Sequence, residues 1–294
     1  MIGLKSGTVR LDDHRKEWEE EAQRTITLLK NILGPIIKDI QHIGSTSIYS
    51  IKAKPIIDIA IAVDDFDSVL QHEAQLKENG FHYRPKSNLN DQILFACGSH
   101  YDGTGDIQTH YIHIFHTNSK SYQNAINFRD YLNKNISDAK KYENLKTKLA
   151  DESKNCANRE NYIKGKHDFI TSINRKAFMS TFLGKKIKIK IDRKIGTFHP
   201  KFNDIYYTVN YGYIPNVFAD DGEEQDAYLL GVDHPVDEFE GKVIGFIHRL
   251  NDVEDKLVVA PEGVVFTKDE IKEAVNFQEK FFNFEIEVIN SNVI

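Results

Sequence analysis

Residues 220–226 read Asp-Asp-Gly-Glu-Glu-Gln-Asp, and this acidic run passes directly into the apolar AYLLG. Acidic runs usually coat a solvated face, but this one is embedded between apolar segments, and Gly222 permits a tight turn that can aim Asp221, Glu223 and Asp226 at one point. Carboxylates so spaced are hard oxygen ligands suited to Mg²⁺. A second group, HRLNDVEDKLVVAP at 248–261, brings Asp252, Glu254, Asp255 and Lys256 to the start of another β segment. Two carboxylates 4 Å apart repel by about 4 kcal/mol at an effective dielectric of ~20. Converging carboxylates therefore call for divalent cations, and a lysine beside them is useful when an anion also binds. The chemistry implied is that of a metal-bridged phosphate. Lys188 in IKIKID, Arg193 after it, and the aromatic block YYTVNYGYIP at 206–215 offer further donors. Tyr206, Tyr207 and Tyr213 read equally well as core packing at alternating strand positions, and Tyr211 shares the face of Tyr207 and Tyr213.

A second constellation lies nearer the N-terminus. HIGSTS at 42–47 ends a strand with Gly44 and Ser45, where backbone amides and hydroxyls can approach a phosphate, and the next apolar run, KPIIDIAIAV, presents Asp58 as a candidate Mg²⁺ ligand. Lys54 is placed to contact phosphate or to serve as a surface cation. The plain alternative is a strand-end turn and an N-capping aspartate. Two residues after Asp58 stands Ala60, so a second carboxylate is absent from that position. His110 and His113 point to opposite faces of a strand, and at most one can join Asp58.

These side chains need a scaffold, and 294 residues suffice for two domains. With 38 Lys+Arg against 44 Asp+Glu, the net charge of -6 argues against nucleic acid as primary partner. Residues 181–294 hold 13 Lys+Arg against 21 Asp+Glu, so the acidity belongs to the C-terminal part. No apolar run reaches the ~20 residues of a membrane helix, and the first residues carry no signal-peptide core, so the expectation is a cytoplasmic protein without a membrane partner. Cys97 and Cys156 suggest neither a disulfide framework nor a thiolate metal site.

Trp18, Ala22, Ile26, Leu29 and Leu33 predict an amphipathic helix over 14–33, with Asp12 or Asp13 as cap and Trp18 as core anchor. Apolar β-branched runs at 39–43, 56–63, 92–97 and 111–115, with a helix at 65–79, predict an α/β module closed by three helices between 121 and 177, Ser137 capping the second. After 178–184 the period turns to two. Short strands at 185–192, 205–214, 225–232, 242–249 and 256–260, followed by a helix at 267–283 that opens on Thr267 and Glu270, predict a small OB-like β-barrel with one or two helices.

Five ordered motifs, namely HIGSTS, AKPIIDI, HYIHIF, NFRDYL and the run KYENLK to GKHDF, resemble the GrpB family. The resemblance covers residues 8–177 and implies a nucleotidyltransferase-like fold for a domain at 1–178. Gly44 and Ser45 then correspond to the superfamily's Gly-Ser motif, Asp58 to its first metal carboxylate, and a nucleoside triphosphate is the implied ligand. VNYGYIP, DDGEEQDAYLLG, the DVEDK run and FQEKFF resemble short family I inorganic pyrophosphatases, implying a domain at 183–294 that hydrolyses pyrophosphate with Mg²⁺. The resemblance implies Asp221, Asp226, Asp252 and Asp255 on metal, with Glu254 as the alternative to Asp255, Glu223 as base, and Lys188, Tyr211 and Lys256 on phosphate. Arg193, His199 or Lys201 substitutes for a missing phosphate arginine. Lys190 and Phe281-Phe282 depart from the family pattern. Further expectations are an oligomer and the coupling of nucleotidyl transfer to removal of its diphosphate, which labelled acceptor appearing together with orthophosphate would reveal. The rival reading is a catalytically weak regulatory protein that binds nucleotide and diphosphate.

Overall fold

The computed structural model describes residues 2–155, 166–202, 204–219 and 221–289, so Asp220, Cys156 and the start of the expected third helix lie outside the described residues. The chain divides into two compact units, Met1–Asn174 and Arg175–Ile294.

In the first unit, α1 (Lys16–Leu33) is followed by β1 (Asp39–Ile43), β2 (Ile57–Val63), α2 (Phe66–Leu70), α3 (Glu73–Glu78), β3 (His82–Tyr83), β4 (Gln92–Cys97), β5 (His110–His116), α4 (Lys120–Lys134) and α5 (Ile136–Asn155). The sheet order is β1-β2-β5-β4-β3. β2 and β5 pair in parallel, while the other neighbours are antiparallel. β2 alternates between two covered faces. Ile57, Ile59, Ile61 and Val63 pack with Trp18, Ala22 and Leu29 of α1, whereas Ala60 and Ala62 pack with Tyr122, Ala125 and Ile126 of α4. Trp18 is fully buried, and its truncation to Ala would cost about 3–5 kcal/mol.

Three expected local details differ. Arg15, not Asp12 or Asp13, occupies the N-cap of α1, and Asp12 instead bridges Ala53 and pairs with Arg10. The helix expected over 65–79 breaks into α2 and α3, because Asp65 caps a short turn that stops at Gln71. Ser137 lies inside α5, which begins at Ile136.

Helix α6 (His167–Ser180) precedes β6 (Lys186–Arg193), β7 (Asn210–Phe218), β8 (Glu224–Leu229), β9 (Glu238–Arg249), β10 (Lys256–Ala260), α7 (Lys268–Glu279) and β11 (Phe284–Val288). The order β10-β8-β7-β6-β9-β11, with a further β10–β9 pairing, closes five strands into a barrel and leaves β11 on the outside of β9. Leu257 and Val259 of β10 join Ile189, Ala227, Leu229 and Phe246 in one core, while Val258 and Ala260 face Ile271 and Val275 of α7. Gly212 has a steric role. A Cβ there would overlap the Lys190 carbonyl oxygen and lie 2.7 Å from its carbon, so only glycine lets β6 and β7 approach in this register. The segment at 205–209, expected as strand, makes one isolated bridge, Phe198–Tyr206, before β7 begins. Thr267 and Glu270 form the expected capping box on α7, worth about 1 kcal/mol. No helix among the described residues is long and apolar enough to cross a membrane.

Candidate functional site

The barrel carries an acidic cavity of about 410 Å³. Asp192 enters from β6, Tyr213 from β7, Asp221 and Glu223 from the turn before β8, Glu224 and Asp226 from β8, and Glu254 from the loop before β10. The turn is built as its residues dictate. Gly222 adopts φ +89°, its N–H donates to the Ala219 carbonyl, and the Glu223 N–H donates to Asp221 Oδ1 at 2.9 Å. Glu224 Oε1 accepts from the Asn216 N–H at 2.8 Å. This contact spans a bulge that shifts the register between Glu224 and Asp226, the kind of irregularity that re-aims side chains.

Lys256 is almost fully buried and bridges Asp226 and Glu254, with its ammonium 2.7 Å from Glu254. That ammonium lies 5.7 Å from the Tyr211 ring centroid. Burial, reinforced by Asp226, raises the Tyr211 hydroxyl well above its ordinary range, so it stays a neutral donor to Asp226. Burial also raises Asp192; Arg193, 2.9 Å away, opposes this and the Asp226 charge adds to it. Among the described residues no lysine or arginine lines the cavity, and although Lys256 pairs with Asp226 and Glu254 and Arg193 with Asp192, its carboxylates remain in excess.

The remaining expected residues are placed differently. Asp252 does not line the cavity. It accepts from Arg249 at 2.8 Å and from the Val253 N–H at 2.7 Å, bonds that hold its carboxyl below the usual range against the opposing effect of burial. Asp255 borders the cavity, but one carboxylate oxygen is held by His248 Nδ1 at 2.8 Å and the other by the Arg249 N–H at 3.0 Å. Glu254, not Asp255, therefore faces the acidic group. Lys188 pairs with exposed Glu238 at 2.7 Å and lies outside the cavity lining. Arg193 reaches the cavity only through Asp192.

Behind the cavity is a buried polar network that the sequence reading missed. Arg249 makes two bonds to Glu279, of 2.9 and 2.7 Å; Tyr228 donates to the same carboxylate at 2.6 Å; and Phe282 lies 3.6 Å from the guanidinium carbon. Phe282 thus serves as a platform for Arg249, while Phe281 is exposed. Asp192 was also missed, although its place on the exposed side of the alternating IKIKID strand could have signalled it.

Among the described residues, no three His, Cys, Asp or Glu side chains converge as a metal cage. Mg²⁺, however, is commonly held by one or two carboxylates, waters and substrate phosphate oxygens rather than by an all-protein cage. The donor type and the surplus negative charge of the cavity fit that mode of binding.

In the first unit, Gly44 takes φ +72°, and a Cβ on it would overlap Asp58 Oδ2 and sit 2.9 Å from the Asp58 Cβ. The turn can therefore press onto Asp58 only because residue 44 is glycine. His113 Nε2 lies 3.4 Å from Asp58 Oδ1, while His110 on the opposite face approaches Glu21. Ser45 bonds Tyr142, and the ammonium of buried Lys146 sits 4.6 Å from the Tyr142 ring centroid and donates to the Lys52 carbonyl at 2.6 Å. Burial first, then Lys166 and Lys54, lowers Lys146 to about 7. Lys54 thus belongs to a lysine group beside this turn. Fully buried Ala60 packs with Ile43, Phe115 and Tyr122, which leaves no room for a second carboxylate.

The family model described as GrpB protein matches residues 8–176, and the one described as inorganic pyrophosphatase matches residues 179–284. The glutamate-rich protein GrpB of Alkalihalophilus pseudofirmus is 33% identical over 174 residues, covering 59% of this chain and 98% of that protein. The crystal structure of conserved protein GrpB from Enterococcus faecalis aligns at a TM-score of 0.53 and 26% identity, covering 58% of this chain and 99% of the other. The inorganic pyrophosphatase from Ehrlichia chaffeensis aligns with 36% of this chain and 88% of its own at 19% identity and a TM-score of 0.30. The chain belongs to the GrpB family, with a C-terminal barrel that resembles the inorganic pyrophosphatases.

Proposed function

We propose that the C-terminal module is an Mg²⁺-dependent inorganic diphosphatase that converts pyrophosphate to orthophosphate. The observation that carries this reading is the acidic cavity, with Lys256 between Asp226 and Glu254, in a segment matched by the pyrophosphatase model. Asp221, Asp226 and Glu254 are the residues that would hold Mg²⁺ together with phosphate oxygens. Bound Mg²⁺ supplies charge neutralisation and lowers the pKa of a water. Glu223, at the mouth of the turn, takes the proton of the attacking water. Lys256 offsets charge on the phosphates, and the Tyr213 hydroxyl donates to them. Tyr211, already bonded to Asp226, orients that carboxylate.

For the first unit we propose binding of a nucleoside triphosphate around Gly44, Ser45, Lys54 and Asp58, supported by the close turn and the lysine group next to it. A second reading for the barrel, diphosphate binding without turnover, is favoured by the commitment of Asp252 and Asp255 to Arg249 and His248. Glu223→Ala separates the two. The diphosphatase reading expects the turnover number to fall by ~10²–10⁴ with pyrophosphate affinity retained. Equal phosphate release in mutant and wild type would remove Glu223 from the mechanism.

A further inference from the structure

On the sheet face that carries Asp58 and His113, a second cavity of about 410 Å³ is bordered by Arg84, Ser87, His100, Tyr101, Tyr111 and His113. Among the described residues its lining contains no carboxylate but does contain Arg84, so an anion suits it better than a cation. The Arg84 guanidinium makes no ion pair among the described residues and is held over the Tyr101 ring, 4.9 Å from the centroid. Such a contact fixes the position of a guanidinium without neutralising it. Tyr101 is itself anchored, because Gln108 donates to its hydroxyl at 2.8 Å and that hydroxyl donates to Tyr111 at 3.0 Å. The chain of donors leaves the Tyr111 O–H hydrogen available to a ligand. His113, at the inner wall, couples the cavity to Asp58.

We propose that this cavity binds a small hydroxylated organic anion, with its phosphate or carboxylate on Arg84 and Tyr111 and its hydroxyl against His113. The cavity lining does not include Gly44, Ser45 or Asp58, but through His113 it adjoins the Asp58 carboxylate on which that turn rests. Arginine suits the role because its planar donors match both carboxylate and phosphate.

Calorimetric titration of the full chain without Mg²⁺ tests the site, using glycerol 3-phosphate and glycerate as probes and glycerol as the uncharged control. Both anions are expected to bind and glycerol to give no heat. Arg84→Gln should weaken binding roughly tenfold or more, Tyr111→Phe should weaken it by a smaller factor, and Glu223→Gln in the barrel should leave it unchanged. Unaltered Trp18 fluorescence in Arg84→Gln establishes that the unit remains folded. Absence of binding by both anions, equal affinity in Arg84→Gln, comparable binding of glycerol, or loss of binding in Glu223→Gln would each overturn the proposal.

Discussion

Glu279→Gln probes the network behind the acidic cavity. Glu279 is fully buried, Arg249 is 2% exposed, and the two share bonds of 2.9 and 2.7 Å, with Tyr228 as a third partner at 2.6 Å. Glutamine keeps the size of the side chain but removes its charge and turns an amide donor toward the guanidinium. Arg249 retains Asp252 at 2.8 Å, so its compensation is reduced rather than abolished. Breaking a buried pair from one side costs about 3–5 kcal/mol, and the remaining Asp252 contact puts the expected loss near the lower end. Replacing both partners, Arg249→Met with Glu279→Leu, should cost less than the sum of the two single changes, because no buried charge is left alone. Trp18 is the single tryptophan and lies in the first unit, so its fluorescence does not follow the barrel. Amide hydrogen exchange at Val258 and Val259 in β10 does. A single-mutant loss below about 1 kcal/mol, or strict additivity in the double mutant, would refute the charge-pair reasoning.

Gly44→Ala should destabilise the first unit by about 2–4 kcal/mol, combining the strain of its positive φ with overlap on Asp58. Gly80→Ala, at φ +85° with nothing within 4 Å, should cost only about 1 kcal/mol; equal losses followed by Trp18 fluorescence would dismiss the Asp58 contact. Burial lowers His42 to about 4 from its ordinary 6.5. Between those values the unfolded chain holds the proton that the folded unit rejects, so stability falls by up to about 3 kcal/mol as pH drops through this window. His42→Gln should flatten that part of the urea-midpoint profile, and an unchanged slope would locate the effect elsewhere. In phosphate release, Asp226→Asn should be far more damaging than Asp252→Asn, which leaves Arg249 paired with Glu279; equal losses would return Asp252 to the site.

Periodicity made the scaffold legible. The heptad-like spacing of Trp18, Ala22 and Leu29 marked α1, and the alternation of IKIKID marked β6. Spacing along the chain also drew attention to Asp221, Glu223 and Asp226, which the structure brings to one cavity. It could not resolve Asp252 and Asp255, since their orientation depends on Arg249 and His248 at the end of β9, and Arg249 is in turn held by Glu279 of distant α7. Lys188 was equally opaque, because its neighbour Glu238 comes from a strand paired across the barrel. Asp192 escaped for the opposite reason, a single carboxylate at the end of a strand whose other exposed positions are lysines.

The most direct measurement is orthophosphate release from pyrophosphate by the intact chain, with and without Mg²⁺. Steady multiple-turnover release that requires Mg²⁺ and is lost in Asp226→Asn is the expected result. No release above the uncatalysed background, or release that Asp226→Asn leaves untouched, would contradict the assignment of diphosphatase chemistry to the acidic cavity.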